Sequence, residues 1–376
     1  MTDADYKHTL GIVRNLGRAG IQVSVLAKSR KELASCSRYC FATYLAPGPA
    51  EPGYVEAVLD ILRRNPQDLL LAVSYAATAA LARRKQELGE HTRLEIAEFD
   101  QILSAADKRF VHQLASRLGL PLPSTYYPDT FDDVRKQAVA LQYPVIVKPL
   151  RESGGVTVRH VRSCCELFPI YEGFCAERGL SEGGLPMIQE FIPGYGCGFF
   201  ALYQEGICKR VFMHRRVREN PPSGGVSCCA ESFYDQRLKE YGMRILNQLG
   251  WHGVAMVEFR HDSRDQEFKL LEVNPKFWGS LDLALAAGVY FPVDLCEMAE
   301  GKQLRYSEDY RKDLRFHWPL SGEAQHFIAR PSSIGSMLAD FLNPHVQSNI
   351  WWKDLRPNWR EGLSLIRSGW GKVRNR

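Results

Sequence analysis

The chain predicts an α/β protein with a doubly wound opening domain and a later, hairpin-rich part of α+β character. Three observations carry that prediction. Apolar residues at helical spacing alternate with short strand-length runs as far as residue 100; a glycine loop joins the strand-like runs 144–149 and 156–161; and the strand-like runs 253–260 and 267–273 flank the turn Ser263-Arg264-Asp265-Gln266. The 376 residues are 45% hydrophobic and 24% charged, a globular composition long enough for two or three cores.

Leu10, Ile12, Val13 and Leu16 give residues 9–17 an amphipathic helical face, Gly17 and Gly20 end it, and 21–26 is an apolar strand. A doubly wound sheet begins with a strand, whereas Met1 runs at once into loop-like Thr2-Asp3-Ala4-Asp5, so the first strand is expected to be missing. Residues 54–63 read as helix, 68–73 as a buried strand and 76–88 as helix, within an opening domain assigned to 1–105. A second part, 106–182, holds a helix over 108–118, the rigid connector Leu120-Pro121-Leu122-Pro123, a helix over 131–141 and a hairpin of strands 144–149 and 156–161. Residues 183–305 form a third part and 306–376 a basic, Trp-rich extension.

No run approaches the ~18 to 20 apolar residues that span a bilayer, and no basic-then-apolar leader pattern opens the chain. The ten cysteines lack Cys-x-x-Cys spacing and read as reduced, mostly core thiols, so the expected location is the cytoplasm. The net charge of +5 belongs to the end of the chain, where residues 301–376 hold 13 Lys and Arg against 7 Asp and Glu, together with Trp351, Trp352, Trp359 and Trp370. A basic helix containing Trp can contact an anionic membrane surface, but docking on its own domain is the favoured expectation; no specific nucleic-acid reader motif is visible.

The hairpin carries the most informative chemistry. A register centred near Asp265 sets Glu258 opposite Glu272, with Asn274 one same-face step further. At about 4 Å and an effective dielectric near 20, two such carboxylates repel by on the order of 4 kcal/mol. A hard divalent cation relieves that repulsion. Mg2+ takes one or two carboxylates with phosphate oxygens and water, which suits two Glu and an Asn carbonyl; a solvated edge pair, or neutralisation by Arg260 or Lys269, is the alternative.

Lys148, inside the apolar run 144–149, needs a partner, and Gly154-Gly155 just beyond it can expose backbone amides to phosphate oxygens. Residues 186–194 form an apolar strand ending in a polar hinge around Gln189 and Glu190, with Phe191 and Ile192 as apolar walls for a planar base; an ordinary strand end is the competing reading. Tyr195-Gly196-Cys197-Gly198 is not a dinucleotide fingerprint. In 214–227, strand alternation puts Arg216 and Arg218 on one side, towards a cleft, where their forks match carboxylate or phosphate. Glu219 and Glu231 are candidate bases, and Cys228-Cys229 is expected to pack.

Taken in order, Asp107-Lys108, Val147-Lys148-Pro149 with Gly154-Gly155, Gln189 to Gly194, and Glu258 with Glu272-Val273-Asn274-Pro275-Lys276 resemble the ATP-grasp superfamily. Arg216 to Glu219, Gly224 to Ser227 and Phe277-Trp278-Gly279-Ser280 further resemble its carboxylate-amine ligase branch. The resemblance implies an ATP-grasp fold behind a pre-ATP-grasp domain, with Lys108 and Lys148 on ATP phosphates or the base edge and Gly154 and Gly155 in a phosphate lid. It implies Glu190 and Ile192 around adenine, Glu258, Glu272 and Asn274 on Mg2+ (or Mn2+), Lys276 near the transferred phosphate, and Arg216 and Arg218 on the substrate carboxylate or its acyl phosphate. The implied activity is an ATP-dependent ligase joining a small-molecule carboxylate to an amine. A non-catalytic nucleotide-binding scaffold or sensor in cell-envelope assembly, and a phosphotransferase, would use the same site. The chain departs from the family pattern after the hinge, where Gly196, Cys197 and Gly198 replace the usual acidic partner of the ribose.

Overall fold

A computed structural model describes residues 1–151, 158–222 and 224–374, with side chains described through Leu365. The chain divides into two compact units, one of Met1–Ile102, Gly198–Met256 and Asn274–Arg376, the other of Leu103–Cys197 and Val257–Val273.

In the first unit, helix Lys7–Arg18 forms where Leu10, Ile12, Val13 and Leu16 recur at turn spacing, and all four are buried. Strand Val23–Ala27, buried throughout, pairs in parallel with Cys40–Leu45. The expected strand over 68–73 is reduced to a Leu69–Arg93 bridge, although Leu70 to Val73 are buried. Thr2 N donates to Leu71 O (3.0 Å) and Val73 N to Thr2 Oγ1 (3.0 Å), while Leu26 N donates to Met1 O (2.8 Å). The single helix expected over 76–88 is instead two, Tyr75–Ala82 and Lys85–Gly89.

Five strands of this unit run side by side in the order Gly194–Gln204, Ile207–Asn220, Val226–Ser232, Arg315–His317 and Gln347–Ser348. Their inward residues Phe200, Leu202 and Phe212 join Phe277, Trp278, Phe291 and Trp318 and the apolar face of Lys7–Arg18 in one core. Each fully buried large side chain there contributes about 1.5–3 kcal/mol.

In the second unit, a four-stranded antiparallel sheet runs Thr125–Tyr126, Met187–Glu190, Val145–Lys148, Arg159–Val161. Val145, Val147, Val161 and Ile188 pack with Leu167, Tyr171 and Phe174 of helix Cys164–Arg178 and with Val134 of helix Phe131–Gln137. The carboxylate hairpin is made of strands Gly253–Asp262 and Phe268–Asn274, closed by Asp262 N donating to Glu267 O at 2.8 Å. Gly154 and Gly155 lie outside the described residues.

Candidate functional site

The second unit gathers two lysines and two carboxylates. Asp107 is the N-cap of helix Lys108–Arg117: its Oδ1 accepts from Phe110 N (3.1 Å), its Oδ2 accepts from Arg151 Nε (3.1 Å), and Lys108 N donates to Leu150 O (3.0 Å). That fastened first turn holds Lys108 in a buried position, with its Nζ 3.0 Å from Glu272 Oε2. Lys148 ends strand Val145–Lys148 and is also buried. Burial pushes its ammonium down to about 8, Glu272 and Glu258 act to raise it, and Lys108 lowers it further. Both hairpin carboxylates therefore act on the same buried lysine. An ammonium held dry beside carboxylates is a group that gains from an arriving anion.

His112, one turn beyond Lys108, was not singled out by the motifs. Its Nε2 lies 2.9 Å from Leu271 O and its Nδ1 2.6 Å from the Tyr127 hydroxyl. Burial drives its pKa down to about 4, with Lys148 and Lys108 among the lesser causes. The ring is thus neutral near pH 7; Nε2–H donates to Leu271 O and Nδ1 accepts from Tyr127, an assignment made from the hydrogen-bond network. His112 braces the strand residue next to Glu272. The i, i+4 spacing from Lys108 is the signal that could have marked it.

Glu258, Glu272 and Asn274 are hard oxygen donors of the kind Mg2+ or Mn2+ takes. Among the described residues no three His, Cys, Asp or Glu cluster as a metal site. Two carboxylates and an amide leave an ion dependent on phosphate and water for its remaining ligands, so the donor set fits a nucleotide-borne Mg2+ better than a resident structural ion.

The hinge residues part company. The Gln189 side chain is buried and donates from Nε2 to Thr125 Oγ1 (2.9 Å), and Phe191 N donates to Pro144 O (3.2 Å). Glu190 accepts from Ser124 N (3.1 Å) and from Arg264 Nη2 (2.5 Å). Arg260 donates from Nε to Ile192 O (2.5 Å) and from Nη2 to Gly194 O (3.0 Å), and its guanidinium lies 5.6 Å from the Phe191 ring centre. Arg260 and Arg264 therefore set the hinge backbone and the Glu190 carboxylate, a role invisible in the motif itself. Ile192 is buried; Phe191 is half-buried, its ring 5.9 Å from that of His160.

In the first unit, Asn274 ends the strand that carries Glu272, and Lys276 N donates to Asn274 O (2.9 Å). Burial lowers the His8 pKa to about 3, with Lys276 and then Lys7 adding to the fall. The arginine pair departs from simple alternation. A bulge at Val217 places Arg216 opposite Ala230 and Arg218 opposite Cys229, so residues two apart meet consecutive partners. Arg216 Nη1 donates to Glu219 Oε1 (3.1 Å) and Gly225 O (3.0 Å). Arg218 is buried and donates from Nε to Glu323 Oε1 (2.9 Å) and from Nη2 to Asp340 Oδ2 (2.6 Å). The two arginines have separate partners within their own unit. Glu231 is bound by Arg215 and Arg315, which hold its carboxyl low against the upward push of burial. Burial pushes the Cys228 thiol up to about 12 and raises Cys229 as well, in keeping with packing.

Residues 187–319 match the family model for "ATP-grasp in the biosynthetic pathway with Ter operon". The carbamoyl phosphate synthase large chain of Myxococcus xanthus is 24% identical over 337 residues, covering 85% of this chain and 30% of that one. This chain thus spans under a third of that relative's length. Biotin carboxylase of Campylobacter jejuni, solved as a beta-gamma-ATP complex, aligns with a TM-score of 0.69 at 16% identity, covering 84% of this chain and 73% of that one. The L-amino acid ligase of Bacillus licheniformis aligns with a TM-score of 0.62 at 17% identity, covering 80% and 73%. Such structural likenesses establish the fold. The family match falls on the hinge, the arginine strand and the carboxylate hairpin, so this part of the chain is similar to that ATP-grasp family and the chain shares the fold of these neighbours.

Proposed function

We propose that this protein is an ATP- and Mg2+-dependent ligase that activates a small-molecule carboxylate as an acyl phosphate and joins it to an amine in an amide or peptide-like bond. The observation that carries the reading is the buried pair Lys108 and Lys148 set against Glu272 and Glu258. Lys148 and Lys108 bind phosphate oxygens and spread the charge of the transferred phosphoryl group over two dry ammonium groups. Glu258, Glu272 and Asn274 hold Mg2+, which polarises the phosphates when bound. His112 keeps the Glu272 strand in place. A carboxylate oxygen attacks the γ-phosphorus and ADP leaves; the amine nitrogen then attacks the acyl carbon and phosphate leaves.

The test is ADP release with pooled carboxylates, with and without pooled amines, followed by mass analysis of the product. ADP that appears only with a carboxylate, and a product of condensation mass, are the expected results. ADP release independent of any carboxylate, or a phosphorylated alcohol, would replace the ligase reading.

One observation favours the nucleotide-binding scaffold instead. Arg218, a residue implied to orient the substrate carboxylate, is bonded to Glu323 and Asp340 of its own chain. Nucleotide binding without turnover over the full pool is the outcome that reading requires.

A further inference from the structure

We propose that the carboxy-terminal helix docks this protein on the surface of an anionic lipid bilayer. The helix, Leu355–Arg374, has one face fastened to its own unit and one face left bare. On the fastened side, Arg14 donates to Asp354 Oδ2 (2.9 Å), Asp354 O (2.7 Å), Asn349 O (2.9 Å) and Asn358 Oδ1 (3.1 Å). The preceding Trp351 lies under Arg14 and Arg18, each guanidinium 5.2 Å from its ring centre. Asp354, Pro357 and Asn358 are buried as a result.

The opposite side follows the spacing i, i+3, i+4, i+7: Arg356, Trp359, Arg360 and Leu363, all exposed. Trp359 is 70% exposed, Leu363 49%, and Trp352 just ahead of the helix 83%. Water solvates the arginines well and has no use for the tryptophans and leucine. The charge is one-sided too. Residues 353–376 contain seven Lys and Arg and only two acids, Asp354 and Glu361. Asp354 is buried in the Arg14 pair, and burial raises Glu361 to about 7. The bare face therefore joins Trp and Leu to cations with no acid among them.

That combination has a specific fit. Trp and Leu enter the headgroup boundary, while arginine stems lie along the acyl surface and their guanidinium groups reach anionic headgroups. Among the described residues no helix is long and apolar enough to cross a membrane, so the contact is in the plane of the surface. A second copy of the chain is a poorer occupant, because a two-fold contact through this face would set Arg356 and Arg360 against their own equivalents.

The experiment is co-sedimentation of the full chain with phosphatidylcholine vesicles, with and without about one-third phosphatidylserine, over a salt series. Binding to the mixed vesicles only, weakening with salt, is expected. Each basic residue near an anionic surface is worth roughly fivefold in partitioning, so Arg356→Glu with Arg360→Glu is expected to lower it at least about 30-fold. Trp359→Ala with Leu363→Ala is expected to lower it about tenfold or more at unchanged melting temperature. Failure of the parent chain to bind, or binding that neither double variant alters, overturns the proposal. So does a concentration-dependent dimer lost in either variant, or binding to duplex DNA at the same salt tighter than to the vesicles.

Discussion

Lys108 and Glu272 meet at 3.0 Å, a buried ammonium at the first turn of a helix against a carboxylate near the end of the strand Phe268–Asn274. The helix N-cap at Asp107 and the His112 bond to Leu271 O hold the two elements that carry this pair. Under the proposed function, Glu272 neutralises Lys108 in the free protein and turns to the metal once a nucleotide's phosphates arrive. Glu272→Gln is accordingly expected to reduce Mg-ATP-dependent turnover at least ~100-fold while the chain still melts cooperatively. A coupled ADP assay alongside a thermal melt checks this, and undiminished turnover would sink the metal assignment.

Lys148 carries a cost in the free protein, since burial depresses its pKa from 10.5 to about 8. Lys148→Met removes that cost and also the proposed phosphate contact. The variant is expected to be more stable by about 1–2 kcal/mol near pH 7 and to bind ATP roughly 10- to 100-fold more weakly. Urea unfolding and calorimetric titration measure the two effects, and an unchanged ATP affinity would remove Lys148 from the nucleotide site.

Arg218 distinguishes a structural ion pair from a substrate clamp. Its removal leaves the buried Glu323 to pair with His317 (2.7 Å) and the buried Asp340 to pair with Arg315 (2.9 Å), so Arg218→Met is expected to cost about 3 kcal/mol of stability. Pairing it with Glu323→Gln should return part of that loss. A stable Arg218→Met protein with a raised KM for the carboxylate would mean that Arg218 serves the substrate.

Glu361 makes stability depend on pH. Its carboxyl is raised from 4.5 to about 7 by burial first; Asp282 adds to the rise, and Lys7 and Arg14 oppose it. The folded chain therefore holds a proton that the unfolded chain has released, and stability falls as pH climbs from about 4.5 to about 7. Glu361→Gln is expected to flatten that slope and to add on the order of 2 kcal/mol near pH 8. Equal urea midpoints for parent and variant at pH 5 and pH 8 would contradict the assignment.

Local pattern was enough for much of this molecule. The apolar spacing of Leu10 to Leu16, the strand character of residues 145–148 and the run from Glu258 to Asn274 are each properties of neighbours in the chain, and the structure places a helix, a strand and a hairpin there. Lys148, Glu258 and Glu272 stood out for the same reason, because a charge inside an apolar run is conspicuous. Partner choice was not. Alternation said that Arg216 and Arg218 share a side, but a bulge at Val217 and carboxylates more than a hundred residues later decided where Arg218 went. The strand over 68–73 is reduced to a Leu69–Arg93 bridge, a fact of pairing rather than of apolar pattern. Arg260 and Arg264 looked like ordinary hairpin charges until folding set them on the hinge. Sequence determines which segments become helix or strand and which charges demand an answer; only the tertiary structure decides which group answers, because burial and ion pairing depend on distances between residues far apart in the chain.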